Sequence, residues 1–194
     1  MMTDAPVGRS ARFDLLLEGS LRPGVRSTCT LVRDGMLVGV IDPGLAPSPA
    51  AILDPLRALG VAPEEVTAVI LSHHHPDHTV NAALFSKAAV HDHWAVYRGD
   101  TWDSRECEGA ELSPSVRLIR TPGHSNEDLS TVIGTADGVV VATHLWWTAD
   151  GPADDPYAPD RDALRRSRER VLELADLVIP GHGAPFVPGD ATPR

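Results

Sequence analysis

His73-His74-His75-Pro76-Asp77-His78 sets four metal-capable side chains at H-x-H-x-D-H spacing, directly after the apolar run at 66–71. Side chains alternate along an extended backbone, so His73 and His75 point to one face. The loop beyond them turns Asp77 and His78 to the other side of whatever those two hold. Imidazole and carboxylate are ligands of zinc and iron, and the arrangement suits two ions side by side. The plain alternatives are a solvated polar loop or an expression tag. The mid-chain position, the Pro-Asp interruption and the apolar run in front argue against both. His74 faces the other way and is expected to support the ligands or the structure rather than to bind a metal.

Partners for this cluster recur along the chain. Thr121-Pro122-Gly123-His124-Ser125 follows the strand-like 116–120, and Ile179-Pro180-Gly181-His182-Gly183 follows the apolar 175–178. His144 follows the apolar 139–143. Loops past strand ends are where folds display catalytic groups. Seven of the nine histidines occupy these four contexts, which turns a set of lone loop imidazoles into one candidate site. His91 and His93, flanking Asp92, read as packing or rim residues.

Together, Ser72-His73-x-His75-x-Asp77-His78, the TPGHS around His124 and the PGHG around His182 resemble the metallo-β-lactamase superfamily. Asp42-Pro43-Gly44 resembles that family's early structural Asp. The similarity spans roughly 28–187, and the segment 167–172 leading to Pro180-Gly181-His182-Gly183 is similar to the metallo-β-lactamase domain-containing protein 1 group. The resemblance implies an α+β fold, the αβ/βα sandwich, with two packed mixed sheets and helices on their outer faces. It implies one metal site at His73, His75 and His124 and a second at Asp77, His78 and His182. One or two divalent ions are expected there, zinc first, with iron or manganese as alternatives. Three His with an open fourth position lower the pKa of a zinc-bound water to about 7. The resulting hydroxide is the implied nucleophile, and Asp77 is the implied catalytic residue that orients it or shuttles its proton.

His144 departs from the pattern, because the superfamily usually carries there an Asp whose carboxylate bridges both ions. A single imidazole lone pair cannot span two metals. Its neutrality leaves one more positive charge uncompensated, so the second ion is expected to bind less tightly, or the metal preference to change. Trp146 and Trp147 adjoin His144 and are expected to line the substrate pocket, with Trp94, Tyr97 and Trp102 as further candidates.

These residues need a scaffold, and the pattern supplies one. Strands are read at 13–17, 29–32 and 36–41, with Arg33-Asp34-Gly35 as a hairpin turn. A helix at 49–59 has apolar helical spacing, Ser48 as N-cap and Pro49 at its first position; Pro55 is expected to kink or break it. A strand at 66–72, a short helix at 79–85 capped by Thr79 and a strand at 87–91 follow. The region 94–111 reads as irregular and polar. Strands at 116–120, 129–133 and 138–143, a helix at 160–174 and a strand at 177–179 complete the chain. The Pro-, Gly- and Asp-rich segment 148–159 leaves the metal side, as a lid, a subunit contact or a plain mobile loop.

One domain over 1–194 is expected from the length, with a core at 12–187 and flexible ends at 1–10 and 188–194. An apolar content of 42% and a charged content of 23% fit an ordinary globule. No stretch is apolar enough to span a membrane, and 1–10 lacks the apolar region of a secretory signal, so a cytoplasmic location is expected. Cys29 and Cys107 are too few for a disulfide framework. The net charge of −10 argues against a general nucleic-acid binder, while leaving room for one phosphodiester beside two cations. Arg161, Arg165, Arg166, Arg168 and Arg170 read as a solvated helix face with i,i+4 pairing.

The function expected is hydrolysis of a small ester, thioester or lactone by a metal-dependent enzyme, with a homodimer as an option. Phosphodiester cleavage on the same fold is the alternative. An iron-binding redox protein is the alternative from another class.

Overall fold

The computed structural model describes residues 7–194. The expectation of a flexible start therefore falls, for 1–6, outside the described residues. Residues 7–10 are tied down: Gly8 N donates to Pro114 O at 2.7 Å and Ser10 Oγ to Asp34 Oδ1 at 2.6 Å. The C-terminal segment, also expected to be flexible, places Pro193 O against Trp146 Nε1 at 2.8 Å.

Two mixed sheets face each other. The first runs in the order β1 (Arg12–Leu17), β2 (Cys29–Asp34), β3 (Leu37–Ile41), β4 (Ala68–Ile70), β5 (Ala89–His91), β6 (Ala95–Arg98), β7 (Thr101–Ser104). The second contains β8 (Glu111–Ser113), β9 (Val116–Arg120), β10 (Leu129–Thr135), β11 (Gly138–Ala142) and β12 (Leu177–Ile179), ordered β12-β11-β10-β9-β8. Between them, Val32, Ile41 and Ile70 join Leu118, Ile133 and Ile179 in one buried cluster. Burial of each such side chain contributes roughly 1.5–3 kcal/mol.

Helix α1 (Ala50–Ala58) covers the outer face of the first sheet through fully buried Ile52 and Leu56. It runs through Pro55, contrary to the expected break, because that packing outweighs one missing backbone donor. Helix α3 (Arg161–Leu174) covers the second sheet through Leu164 and Val171. Asp160 caps it, accepting from Ala163 N at 3.0 Å. The layers are those of the αβ/βα sandwich.

Three local expectations are corrected. The β2–β3 turn lies at Gly35-Met36, where Gly35 takes φ +59°, rather than at 33–35. The short helix is split into α2 (Pro76–Thr79) and a 3-10 turn at Ala82–Leu84, and Thr79 ends α2 instead of capping a helix. The region 94–111 holds the hairpin β6–β7; β7 is exposed along its whole length, so its residues carry no apolar alternation. The arginine face is also only partly solvated. Arg165 pairs with Glu169 as expected, but Arg168 is fully buried.

Candidate metal centre

Strand direction gathers the site. β3 and β4 run parallel, as do β11 and β12; β9 and β11 each pair antiparallel with β10 and so share a direction. Their C-terminal ends, followed by Asp42, His73–His78, His124, His144 and His182, lie along one edge of the sandwich. Backbone bonds across the two sheets lock it: Leu129 N to Ser72 O at 2.9 Å and Thr28 N to Gly181 O at 2.7 Å.

All seven sequence-predicted metal residues are brought together. Ligand atoms of His73, His75 and His124 lie within 4.8 Å of one another, as do those of Asp77, His78 and His182. A third grouping, His73, His78 and His144, meets the same limit, which places His144 between the other two. Its ring centroid stands 4.3 Å from that of His124, 4.5 Å from His73 and 4.7 Å from His78.

The protons point outward. His78 Nδ1 lies 2.9 Å from Asp42 Oδ2, His124 Nδ1 2.8 Å from Asp155 Oδ2, and His182 Nδ1 2.9 Å from Arg26 O. Each acceptor fixes the Nδ1–H tautomer and leaves the Nε2 lone pair facing inward. There, His124 Nε2 meets His75 Nδ1 at 3.1 Å, and His144 Nε2 meets His182 Nε2 at 3.0 Å. His73 Nε2, His78 Nε2 and His144 Nδ1 are buried with no hydrogen-bond partner. Such orphaned nitrogens are costly, and a cation among them satisfies them. The donor set fits a pair of divalent ions.

Burial, reinforced by the surrounding imidazoles, holds His73 and His144 well below the usual imidazole range. His75 and His182 are lowered as well, again chiefly by burial. All four are neutral at pH 7, the form that ligates.

A shell of held backbone supports the ligands. Asp42 takes φ 49°, a strained value for a non-glycine residue, and its carboxylate accepts both Ser72 N (2.7 Å) and His78 Nδ1. Asp155 is buried at the centre of three donors: His124 Nδ1, Trp147 Nε1 at 2.9 Å and Tyr157 N at 2.9 Å. Burial raises its carboxyl pKa, but these bonds outweigh that and the net direction is downward. Arg168 then fixes the loop bearing Asp155. Its Nε donates to Leu145 O, Nη1 to Ala153 O and Nη2 to Pro152 O, at 2.7–2.9 Å. Its neighbour Ser167 donates to Pro122 O, in the His124 turn, at 2.8 Å. Gly181 is required by close approach, since a Cβ there would strike the His144 ring.

The candidate ligands open into a cavity of about 350 Å³, walled by Leu21, Val25, Trp147 and Tyr157 beside His75, Asp77, His124, His144 and His182. Trp147 lines it and stacks on Tyr157 at 5.9 Å. Trp146 does not line it. Its ring is fully buried, with the Arg168 guanidinium 5.5 Å above it, so the strand-end geometry alternates Trp146 into the core and Trp147 outward. Trp94 stacks on His74, and Tyr97 packs against Trp102; none of these residues lines the cavity. His74 itself bonds Asp92 Oδ2 at 3.0 Å and holds the loop. Asp155, Tyr157, Arg168, Leu21 and Val25 were not legible in the sequence. None has a fixed spacing from the histidine motifs, and each acts through the tertiary fold.

The metallo-beta-lactamase superfamily model matches residues 22–106. The metallo-beta-lactamase domain-containing protein 1 of Xenopus laevis is 33% identical over 165 residues, covering 81% of this chain and 70% of that protein. The chain belongs to the metallo-β-lactamase superfamily. The mouse protein of the same description is 39% identical over 156 residues, covering 76% of this chain; the match spans 60% of the mouse protein's length. Among solved structures, a Thermotoga maritima metallo-beta-lactamase family structure superposes with a TM-score of 0.73 at 21% identity, covering 93% of this chain and 100% of that one. An N-acyl homoserine lactone hydrolase, with product bound at its catalytic metal center, superposes at 0.64 and 19% identity, covering 91% and 94%. At such identities these two establish the shared fold. No helix among the described residues is long and apolar enough to cross a membrane.

Proposed function

We infer that the protein is a metal-dependent hydrolase of small neutral acyl compounds: esters, thioesters or lactones. The observation that carries this reading is the convergence of unprotonated imidazole nitrogens, with Asp77, on one open cavity. His73, His75 and His124 would hold one ion, and Asp77, His78 and His182 the other, with His144 ligating between them. Zinc suits this imidazole-rich set, and iron or manganese is the alternative. When bound, a divalent ion supplies Lewis acidity, lowering the pKa of water and polarising an acyl oxygen.

The chain's own residues do the rest. Asp42, Asp155 and Arg26 O hold the protonated ring nitrogens outward, so that ligation costs no tautomer change. Asp77 Oδ2, 3.5 Å from His78 Nε2 and 3.6 Å from His182 Nε2, lies at the cavity and is placed to accept a proton from the attacking water. Trp147 and Tyr157 form one wall of the cavity. No Lys or Arg lines the cavity among the described residues, which favours a neutral acyl group over a phosphodiester.

The test is a substrate panel. Zinc-loaded and manganese-loaded protein should turn over simple esters, thioesters or lactones, and His124→Ala should reduce turnover to background. Cleavage of phosphodiesters with none of the acyl compounds turned over would overturn the reading.

A further inference from the structure

Nine large apolar side chains are left exposed among the described residues, and four gather at or beside the metal cavity. They are Leu21 (36% exposed), Val25 (48%), Leu45 (42%) and Tyr157 (66%). Apolar surface concentrated round a cleft, rather than scattered singly, marks a binding surface. Two of the four sit on one tight hairpin. Ser20 N donates to Arg26 O at 3.0 Å, Arg26 N returns to Ser20 O at 2.9 Å, and Ser20 Oγ donates to Arg22 O at 2.7 Å. The tip presents Leu21, Pro23 and Val25. Its base is fixed to the metal centre, because Arg26 O is the acceptor for His182 Nδ1.

Val25 lines two spaces at once. One is the metal cavity; the other is a groove of about 430 Å³ formed with Pro23, Leu45, Ala46 and Pro47. Because the two spaces share Val25, a ligand seated at the metal cavity can be extended along that side chain toward the groove. The one charged residue on the groove, Arg26, has its Nε committed to Glu18 O at 3.1 Å.

We propose that the Ser20–Arg26 hairpin and the segment at 45–47 bind an unbranched aliphatic arm of the substrate, whose acyl group lies in the metal cavity. This rests on the acyl-hydrolase reading and narrows it to compounds with a hydrocarbon chain. Each methylene withdrawn from water contributes about 0.8 kcal/mol, or about fourfold in kcat/KM, until the groove is filled. A polar arm gains none of this.

The experiment compares acetyl, butyryl, hexanoyl, octanoyl and decanoyl esters of one alcohol with zinc-loaded protein, in the native sequence and in Val25→Asp and Leu45→Asp. Both positions are exposed, so the variants should fold. The expected result is kcat/KM rising along the series, with the octanoyl-to-acetyl ratio at least tenfold lower in each variant. Turnover of the esters with no chain-length dependence overturns the aliphatic track and leaves the acyl-hydrolase reading standing. If no ester is hydrolysed, that reading fails, and calorimetry with octanoate against acetate decides the groove separately. Tighter octanoate binding, weakened by Leu45→Asp, supports the track, and equal binding overturns it. Self-association of the native protein, abolished by Leu45→Asp with no change in chain-length profile, would assign the patch to a second copy and overturn the proposal.

Discussion

Replacing Asp155 by Asn keeps the shape of the side chain that holds His124 and removes its charge. Three donors converge on this carboxylate: His124 Nδ1 and Trp147 Nε1 on Oδ2, and Tyr157 N on Oδ1. An amide offers one oxygen, so whichever way it turns, its NH2 faces an N–H. The His124 bond either loses its charge assistance or is lost, which costs about 1.5–3 kcal/mol for a charged acceptor. Substituting the partner of a ligating His lowers metal affinity about 10–100-fold, or about 1.4–2.7 kcal/mol, and the two ranges agree. Zinc titration by calorimetry should therefore show one ion of the pair weakened by that factor, the ion held by His73, His75 and His124. The other should hold its affinity, because Asp42 and Arg26 O are untouched. An unchanged titration, with only thermal stability lowered, would refute the reasoning and reduce Asp155 to a loop staple.

Arg168→Met keeps the packing against Trp146 but removes donors to three carbonyls, at about 1 kcal/mol each; a melting experiment should show about 3 kcal/mol lost, and a loss under 1 kcal/mol would contradict the clamp. His144→Asp restores a carboxylate between the ions and should tighten the weaker zinc by about tenfold or more, read by the same titration; two equally tight sites in both proteins would show that His144 does not ligate. Acid should destabilise the protein through His91, whose pKa burial lowers to about 4. Below pH 6.5 the unfolded chain takes up a proton that the folded chain refuses. Stability is therefore lost at about 1.4 kcal/mol per pH unit between 6.5 and 4, and His91→Leu should flatten that limb in denaturation curves; superimposable curves would contradict it.

The histidine motifs were legible because ligation demands fixed residue types at short spacings, and strand ends impose those spacings. Individual strands and helices were legible from apolar runs, and 177–179 and 116–120 appear with the bounds read for them; the sandwich that arranges them was legible only through the family resemblance. The hairpin β6–β7 was not, since a strand exposed on both faces loses its alternation. Trp146 and Trp147 look equivalent in sequence; only the direction in which β11 ends separates the core ring from the pocket ring. Arg168 reads as one charge in an arginine-rich helix, and its burial follows from carbonyls contributed by residues 15, 16 and 23 positions away. Asp155 lies in a loop whose composition suggested mobility. Its role is set by a contact with His124, 31 residues distant.

The proposed acyl hydrolysis depends on metal held by the imidazole cluster. Turnover of one lactone should be followed in protein as purified, after stripping by a chelator, and after stoichiometric zinc is returned. Activity should fall to background on stripping and be restored by zinc. Undiminished turnover by the stripped protein, or none by the reloaded protein across esters, thioesters and lactones, would contradict it.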